Sequence, residues 1–108
     1  MDCIFCKIVA KTVPAKVIYE DDLILVFHDI APSAPTHILF IPKKHIQSLH
    51  YIEEGDKELL SHLLLRIKQI AQDVGIAAAG YRVQTNIGRD GGQVVPHLHW
   101  HLLGGKKL

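Results

Sequence analysis

Residues 97–103 have the sequence His97-Leu98-His99-Trp100-His101-Leu102-Leu103, in which imidazole and apolar side chains alternate. Alternation with a period of two is typical of a β-strand, whose successive side chains point to opposite faces of the sheet. The three histidines are therefore expected on one face and the apolar side chains between them on the other. The chain has eight histidines, and three of them fall in this stretch, so function is to be sought here.

A row of three imidazoles on one strand suits phosphoryl chemistry. Alternate side chains lie about 6.6 Å apart along a strand, so one tetrahedral ion with bonds of about 2 Å is hard to reach from all three. Imidazole titrates near pH 6.5, and its neutral form attacks phosphoryl centres and leaves readily. We interpret the row as a central nucleophile with flanking imidazoles that hold an anionic phosphate. A metal cluster built from part of the row is the alternative.

The rest of the chain predicts an α+β fold. Apolar and β-branched runs indicate a hairpin of strands at 16–19 and 23–27, and further strands at 37–41, 81–85 and 96–103. Apolar spacing indicates a short helix over 3–10 and a long one over 56–74, with Asp56 near its start and Gly75 just past its end. Since strands and helices do not alternate strictly, we expect an antiparallel sheet with the helices on one face.

Length and charge exclude several classes of protein. The 108 residues fit a single domain, residues 1–108, and 48% of them are hydrophobic. Twelve basic against 11 acidic side chains leave a net charge of +1, so no basic excess is available to bind nucleic acid. No apolar run approaches the ~18 residues of a membrane span, and the N-terminus lacks the pattern of a signal peptide. We therefore expect a soluble, cytoplasmic protein.

Three polar positions outside the histidine row each have two interpretations. Gly91-Gly92-Gln93 precedes the strand and either offers backbone N–H groups to an anion or closes a hairpin. Asn86 is either a turn residue or a ligand. Asp29 either accepts hydrogen bonds from sugar hydroxyls or caps its own loop.

These residues resemble the signature of the histidine-triad (HIT) superfamily, His-φ-His-φ-His-φ-φ with φ apolar, which residues 97–103 match completely. Seven further segments agree in order and spacing. They are Tyr19-Glu20-Asp21-Asp22, Phe27-His28-Asp29-Ile30, Ala34-Pro35-Thr36-His37, Ile41-Pro42-Lys43-Lys44-His45-Ile46, Gly80-Tyr81-Arg82, Asp90-Gly91-Gly92-Gln93 and Gly104-Gly105. Over almost its whole length the chain is similar to the Hint branch, the histidine-triad nucleotide-binding proteins.

The resemblance implies a HIT-like fold of five antiparallel strands and two helices, and a homodimer whose sheets join into one of ten strands. It also implies hydrolysis of purine nucleoside phosphoramidates, derivatives of AMP or GMP, to an amine and a nucleoside monophosphate. His99 would be the nucleophile that carries the nucleotidyl group, His101 would hold the α-phosphate, and His37 would support the central imidazole. The nucleotide would be bound by Asn86, Gly92 and Gln93 on the phosphate and leaving-group side, by Asp29 at the ribose, and by Phe5, Phe27, His28 and Ile30 at the base. This chemistry needs no metal.

One departure from the family pattern bears on the substrate. Many members carry a serine that assists the leaving group where this chain has Val94, so the preferred leaving group and the rate are open. Two other functions also stay open from the sequence. One is a dinucleoside polyphosphate hydrolase of the same superfamily, and the other is a non-catalytic nucleotide-binding regulatory protein.

The pair Cys3-x-x-Cys6 has a metal interpretation and an apolar one. A redox role is not favoured, because the pair does not lie beside a βαβ pattern. Several branches of the superfamily bind structural zinc with such a pair and with histidines that match His45 and His97. The resemblance therefore implies a Cys₂His₂ zinc site, and burial of two small side chains is the alternative. His50 and His62 are expected to be exposed and have no assigned role.

Overall fold

The computed structural model describes residues 3–108, which form two α-helices and five β-strands. They are, in chain order, α1 (Ile4–Val9), β1 (Val17–Glu20), β2 (Ile24–His28), β3 (Thr36–Pro42), α2 (Lys57–Asp73), β4 (Arg82–Gln84) and β5 (Trp100–Gly104). Two 3₁₀ turns, Leu49–Tyr51 and Glu54–Asp56, lead from β3 into α2. The predicted α+β fold with a five-stranded antiparallel sheet and two helices is confirmed.

The sheet has the strand order β1-β2-β3-β5-β4, and every neighbouring pair is antiparallel. The predicted hairpin of β1 and β2 is confirmed, although its turn has no glycine. Asp21 closes the turn instead, because its Oδ1 accepts hydrogen bonds from the N–H groups of Leu23 (2.8 Å) and Ile24 (3.0 Å). β5 pairs with β3 on one side and β4 on the other, so the strand that carries His101 is held from both sides.

The two helices cover opposite faces of the sheet, so the expectation that both lie on one face is wrong. α2 packs on the core that contains Val26 and Phe40, whereas α1 packs on the core that contains Phe27 and Leu39. Neighbouring residues of a strand point to opposite faces. Residues 24–27 are all buried, so both faces of β2 are apolar and each needs its own cover.

The last strand is shorter than predicted. The sequence predicts that it begins at Pro96, but the pairing with β3 begins only at Trp100. Before that point the N–H of Leu98 donates to the carbonyl of Ile46 (2.6 Å), because β3 ends at Pro42, which has no N–H for a ladder. The alternation of faces persists, since the apolar side chains of this stretch lie in the core beneath α2.

α2 is the long helix that the apolar spacing predicts. Its buried residues are Leu59, Leu63, Ile67, Ile70 and Ala71. Leu64 and Val74, which the spacing also places on the apolar stripe, are exposed at its edges. Gly75 follows the helix with a φ of +82°, a conformation that glycine adopts without strain, as expected of a helix end. Within residues 3–108, no helix is long and apolar enough to cross a membrane.

Two charged contacts fasten α2 to the rest of the molecule. The buried carboxylate of Asp56, at the start of α2, accepts a hydrogen bond from Nζ of Lys44 (2.6 Å) instead of capping the helix. Nε2 of His62 lies 2.5 Å from Oδ2 of Asp21 in the β1–β2 turn. His62 is therefore half-buried and has a structural partner, which corrects the expectation of an exposed histidine, whereas His50 is exposed as predicted.

Candidate active site and metal centre

His99, the middle histidine of the row, is held as a neutral imidazole with one nitrogen free to react. The residue is 6% exposed, and its Nδ1 lies 2.7 Å from the backbone carbonyl oxygen of His97. A carbonyl only accepts hydrogen bonds, so Nδ1 carries the proton and Nε2 keeps its lone pair. Burial lowers the pKa of His99, which keeps the ring neutral at pH 7. The geometry thus prepares Nε2 to act as a nucleophile.

A second backbone group fixes the proton of His37 and, through it, the proton of His101. The N–H of Ser33 donates to Nδ1 of His37 (3.0 Å), so a neutral His37 carries its proton on Nε2. That Nε2 lies 2.9 Å from Nδ1 of His101, which must then accept. Consequently His101 carries its own proton on Nε2, from which it can donate to a bound anion.

His37 therefore supports His101, which differs from the role at the central imidazole that the family resemblance implies. The ring centroids of His37 and His101 are 5.2 Å apart, and those of His99 and His101 are 5.0 Å apart. Burial, with a smaller effect of the neighbouring imidazoles, lowers the pKa of His101 to about 4. Near pH 7 His101 thus presents a neutral N–H donor to an anion.

Asp29 lies at the outer end of this chain of imidazoles. Its Oδ1 accepts a hydrogen bond from the N–H of Ala31 (2.8 Å), as the loop-capping interpretation predicts, and its Oδ2 is 3.4 Å from Nε2 of His37. Asp29, His37 and His101 bring their ligand atoms within 4.8 Å of one another, close enough for an ion. The bond from Ser33 argues against one, because it keeps on Nε2 of His37 the proton that an ion would replace. We interpret the group as a hydrogen-bonded relay.

The loop 88–93 has a shape that only glycine allows at one position. A Cβ on Gly91 would lie 2.2 Å from the carbonyl oxygen of Ile87, closer than any real contact. Asn86 holds the loop by a side-chain hydrogen bond, in which its Nδ2 donates to the carbonyl of Gly91 (2.8 Å). Gly91 is thus required by the loop, and Asn86 lies directly against it.

Gly92 and Gln93, both predicted to line the phosphate side, have hydrogen-bond partners within the protein. The N–H of Gly92 donates to the carbonyl of Arg89 (3.1 Å). The Gln93 amide accepts from the N–H of Gly88 (2.9 Å) and donates from Nε2 to the carbonyl of Gln47 (2.7 Å). A third bond runs from Nε2 to a backbone carbonyl two residues on (3.0 Å). The Gln93 side chain therefore fixes the loop in place.

Two supporting residues were missed by the sequence reasoning. Thr85 donates from Oγ1 to the carbonyl of His99 (2.7 Å), which ties the backbone of His99 to the end of β4. The sequence offered one indication of Thr85, since it directly precedes Asn86, a predicted site residue. Ser33 acts through its backbone N–H, which no side-chain motif could reveal.

The residues predicted to surround a base fall into two groups. Phe5 and Phe27 are buried, and Phe5 stands perpendicular to the His99 ring with centroids 5.1 Å apart. Phe5 thus packs against the ring of His99. His28 and Ile30 are open to solvent, and Ile30 is 100% exposed. Of these four side chains, only His28 and Ile30 are available to a ligand without a change of structure.

Cys3, Cys6, His45 and His97 converge, with their ligand atoms all within 4.8 Å of one another. Nδ1 of His97 lies 3.4 Å from Sγ of Cys3 and 3.6 Å from Sγ of Cys6, and it lies 3.2 Å from Nδ1 of His45. Sγ of Cys6 is 3.3 Å from Nδ1 of His45. Zinc bonds of about 2.1 Å to nitrogen and 2.3 Å to sulfur put tetrahedral ligand atoms roughly 3.3–3.8 Å apart. The four residues therefore fit a tetrahedral ion.

The protonation of this cluster also suits a metal. Nε2 of His97 donates to the carbonyl of Pro42 (2.8 Å), so Nδ1 keeps its lone pair toward the two sulfurs. Burial lowers the pKa of His97, which keeps it neutral. Burial and the neighbouring Cys3 raise the pKa of the Cys6 thiol, an effect that a bound cation would oppose. These residues form a possible metal site.

The histidine row, its relay and the glycine loop can be compared with known proteins. A family model described as the HIT domain matches residues 10–108, nearly the whole chain. The chain belongs to the HIT family. Its two-helix, five-strand architecture is that of solved HIT proteins, and the family supports a hydrolase that acts on nucleotides.

Individual HIT proteins are similar over their full length. An uncharacterised HIT-like protein of Synechococcus elongatus is 51% identical over 107 residues, which cover 99% of this chain and 93% of the relative. A HIT family hydrolase from Legionella pneumophila is 49% identical, with a TM-score of 0.96 and coverage of 98% and 95% of the two chains. A histidine triad protein from Clostridium difficile is 50% identical, with a TM-score of 0.95 and coverage of 100% and 94%.

Proposed function

We propose that this HIT protein hydrolyses purine nucleoside phosphoramidates through a covalent nucleotidyl intermediate on His99. The observation that carries the proposal is the hydrogen bond from Nδ1 of His99 to the carbonyl of His97, which leaves Nε2 unprotonated in a buried neutral ring. A nucleophile needs a lone pair, and this one is prepared before any substrate binds. Residues 1–108 would form one HIT domain, of which the family match covers 10–108.

The reaction would proceed in two displacements at the α-phosphorus. Nε2 of His99 attacks phosphorus, the bond from phosphorus to nitrogen breaks, and the amine takes up a proton from solvent as it leaves. Water then attacks the phosphorus held on His99 and loses a proton to solvent, which releases the nucleoside monophosphate and restores the free ring. Across both steps the substrate and one water give one amine and one monophosphate. Nε2–H of His101 would donate to the charge that develops on the phosphate, and the contacts of His37 with His101 and Asp29 support this role.

The nucleotide would be bound along the edge that carries Asp29. The half-buried carboxylate of Asp29 would accept hydrogen bonds from the ribose hydroxyls with Oδ2. His28 and Ile30 would contact the purine of an AMP or GMP derivative, with Phe5 and Phe27 behind them. Asn86 and the loop at Gly92 and Gln93 would border the phosphate and the leaving group. The alternative substrate is a dinucleoside polyphosphate, whose second nucleotide would take the place of the amine.

Zinc is the ion that we propose for the Cys3, Cys6, His45 and His97 set, in a structural role. Two thiolates and two imidazoles at tetrahedral spacing support it. An ion there would hold α1 and His97 in place, and it would take no part in the displacement at phosphorus.

A homodimer is proposed from the edge of the sheet at β4. Within residues 3–108 this strand pairs only with β5, so its other edge is open to a second copy, and ten strands would result. Tyr81, Val83, Leu64 and Leu65 are exposed apolar side chains on β4, beside it or on α2. Sedimentation velocity that finds only a monomer at micromolar concentration would contradict this.

The cytoplasmic location stays a prediction from the sequence.

The function is tested by amine release from an adenosine 5′-phosphoramidate. We expect His99→Ala to lower kcat by at least about 10⁴-fold while nucleotide still binds, because the covalent route is lost. His50→Ala, an exposed histidine outside the site, is the matched control and should turn over like the wild type.

Three outcomes would contradict the proposal. Substantial turnover by His99→Ala would remove His99 as the nucleophile. Faster cleavage of diadenosine tetraphosphate than of the phosphoramidate would favour the polyphosphate hydrolase. Saturable nucleotide binding with no product from either compound would identify a non-catalytic binding protein.

A further inference from the structure

A pocket of about 500 Å³ opens beside the glycine-rich loop. Four residues of the loop 88–93 line it, together with Gln47, Val94 and Pro96. Pro96 directly precedes His97, and the loop is bonded to Asn86, whose neighbour Thr85 holds the backbone of His99. The pocket therefore borders the segment that carries the nucleophile.

The side of this pocket that Val94 and Pro96 form is apolar. Val94 is 89% exposed, and it carries no group that can form a hydrogen bond. Pro96 extends the same wall without an N–H. Gln93 lines the pocket too, but its amide is already bonded to Gln47 and to other backbone groups. A ligand thus meets chiefly hydrocarbon where it meets side chains on this side.

The one charged side chain that lines the pocket is already paired. Arg89 is the charged residue among those that line it, and no carboxylate is among them. Asp90, beyond the lining, lies 2.9 Å from Nε of Arg89 and is paired with it. A cation in the pocket would therefore find no carboxylate among the side chains that line it, and the Arg89 charge is already compensated by Asp90.

We infer that this pocket receives the leaving group, and that Val94 selects amines whose far end is apolar over amines that carry an ammonium group at that end. The inference rests on the proposed function and names the substrate class at the same site. Val94 acts here as a specificity-determining residue.

The test uses two adenosine 5′-phosphoramidates with leaving groups of equal length. One releases n-hexylamine, and the other releases 1,5-diaminopentane, so they differ in a terminal methyl against a terminal ammonium group. We expect the wild type to prefer the hexylamine compound in kcat/KM by about fourfold, the effect of burying one methyl group against apolar side chains. Val94→Asp, which adds the missing carboxylate, should shift the ratio by about fivefold toward the diamine.

Two controls separate charge at this site from charge elsewhere and from loss of the valine. Val17→Asp adds the same carboxylate to an exposed valine on β1, at the other edge of the sheet, and should leave the ratio unchanged. Val94→Asn replaces the valine with a neutral side chain of similar size to aspartate and should shift the ratio less than Val94→Asp does.

Binding keeps the inference testable without turnover. Dissociation constants of both intact compounds are measured by calorimetry on His99→Ala. If the wild type hydrolyses neither compound, the wild type is used instead. A preference for the hexylamine compound that Val94→Asp reduces would support the inference even if the proposed function fails. Equal ratios in the wild type and Val94→Asp, in binding or in kcat/KM, would overturn it even if phosphoramidates are hydrolysed.

Discussion

Peptide groups set the proton positions of the histidines in this site. The carbonyl of His97 places the proton of His99 on Nδ1, and the N–H of Ser33 places that of His37 on Nε2. The carbonyl of Pro42 does the same for His97. A peptide N–H always donates and a peptide carbonyl always accepts, so these tautomers follow from the backbone conformation.

His37 offers a prediction at this scale, because it transmits the constraint from Ser33 to His101. We expect His37→Leu to lower kcat by about 10–100-fold with little change in KM, since His101 stays but loses the donor that orients it. His37→Gln should recover part of the activity, because its amide can accept from Ser33 and donate to His101. Steady-state kinetics on the three proteins, with circular dichroism for folding, provide the measurement. Equal losses for Leu and Gln would show that His37 only fills space.

The loop 88–93 is the element that would border the phosphate in the proposed reaction. Gly91 lies against the carbonyl of Ile87, while the side chain of Gln93 donates a hydrogen bond to the carbonyl of Gln47, which is distant in sequence. Because both contacts hold the loop, its backbone keeps one conformation before a ligand binds. This lowers the entropic cost of ordering the loop on binding.

Substitution of Gly91 tests this element. A Cβ at 2.2 Å from a backbone oxygen forces the loop to move, so we expect Gly91→Ala to lower kcat/KM at least about tenfold and stability by about 1–3 kcal/mol. Gly55→Ala is the matched control, because nothing lies within 4 Å of a Cβ there and its φ is not positive. Kinetics and thermal melts report both effects. An unchanged Gly91→Ala would mean that the loop is not held as described.

Sequence patterns predict which helices and strands form better than they predict which of them pair or pack together. The period of residues 97–103 gives the correct faces, yet the point at which pairing starts depends on Pro42, more than fifty positions earlier. The run 24–27 is apolar at every position, which indicates burial on both sides but not which helix covers which side. The contact between Ser33 and His37 uses a backbone group, and sequence motifs describe side chains.

On the scale of the whole molecule, the cysteine and histidine cluster joins three separate parts of the chain. Cys3 and Cys6 come from the start of α1 and its first turn, His45 follows β3, and His97 precedes β5. The family resemblance implied these four residues, and their convergence at tetrahedral spacing supports the assignment. Spacing along the chain alone could not show it, because each segment is positioned by packing on the sheet.

Metal content tests this cluster. We expect about one zinc per chain in the purified protein, and loss of the zinc with a lower Tm in His45→Ala, because one of four ligands is removed. His50→Ala, the same change at an exposed position, should keep its zinc. Adding zinc at about 100 times its Kd to the metal-free protein should stabilise it by about 2.7 kcal/mol. Mass spectrometry of the metal and thermal melts provide the readings, and a metal-free protein whose Tm ignores zinc would contradict the site.

The chain separations within this cluster have a consequence for the order of folding. Cys3 and His97 are 94 residues apart, and Cys6 and His45 are 39 apart. Contacts between such distant residues close large loops, so they form after the local hairpin of β1 and β2. An ion bound here would therefore have little effect on the folding rate. It would instead slow unfolding, since the first helix could not detach from the sheet until the ion was released.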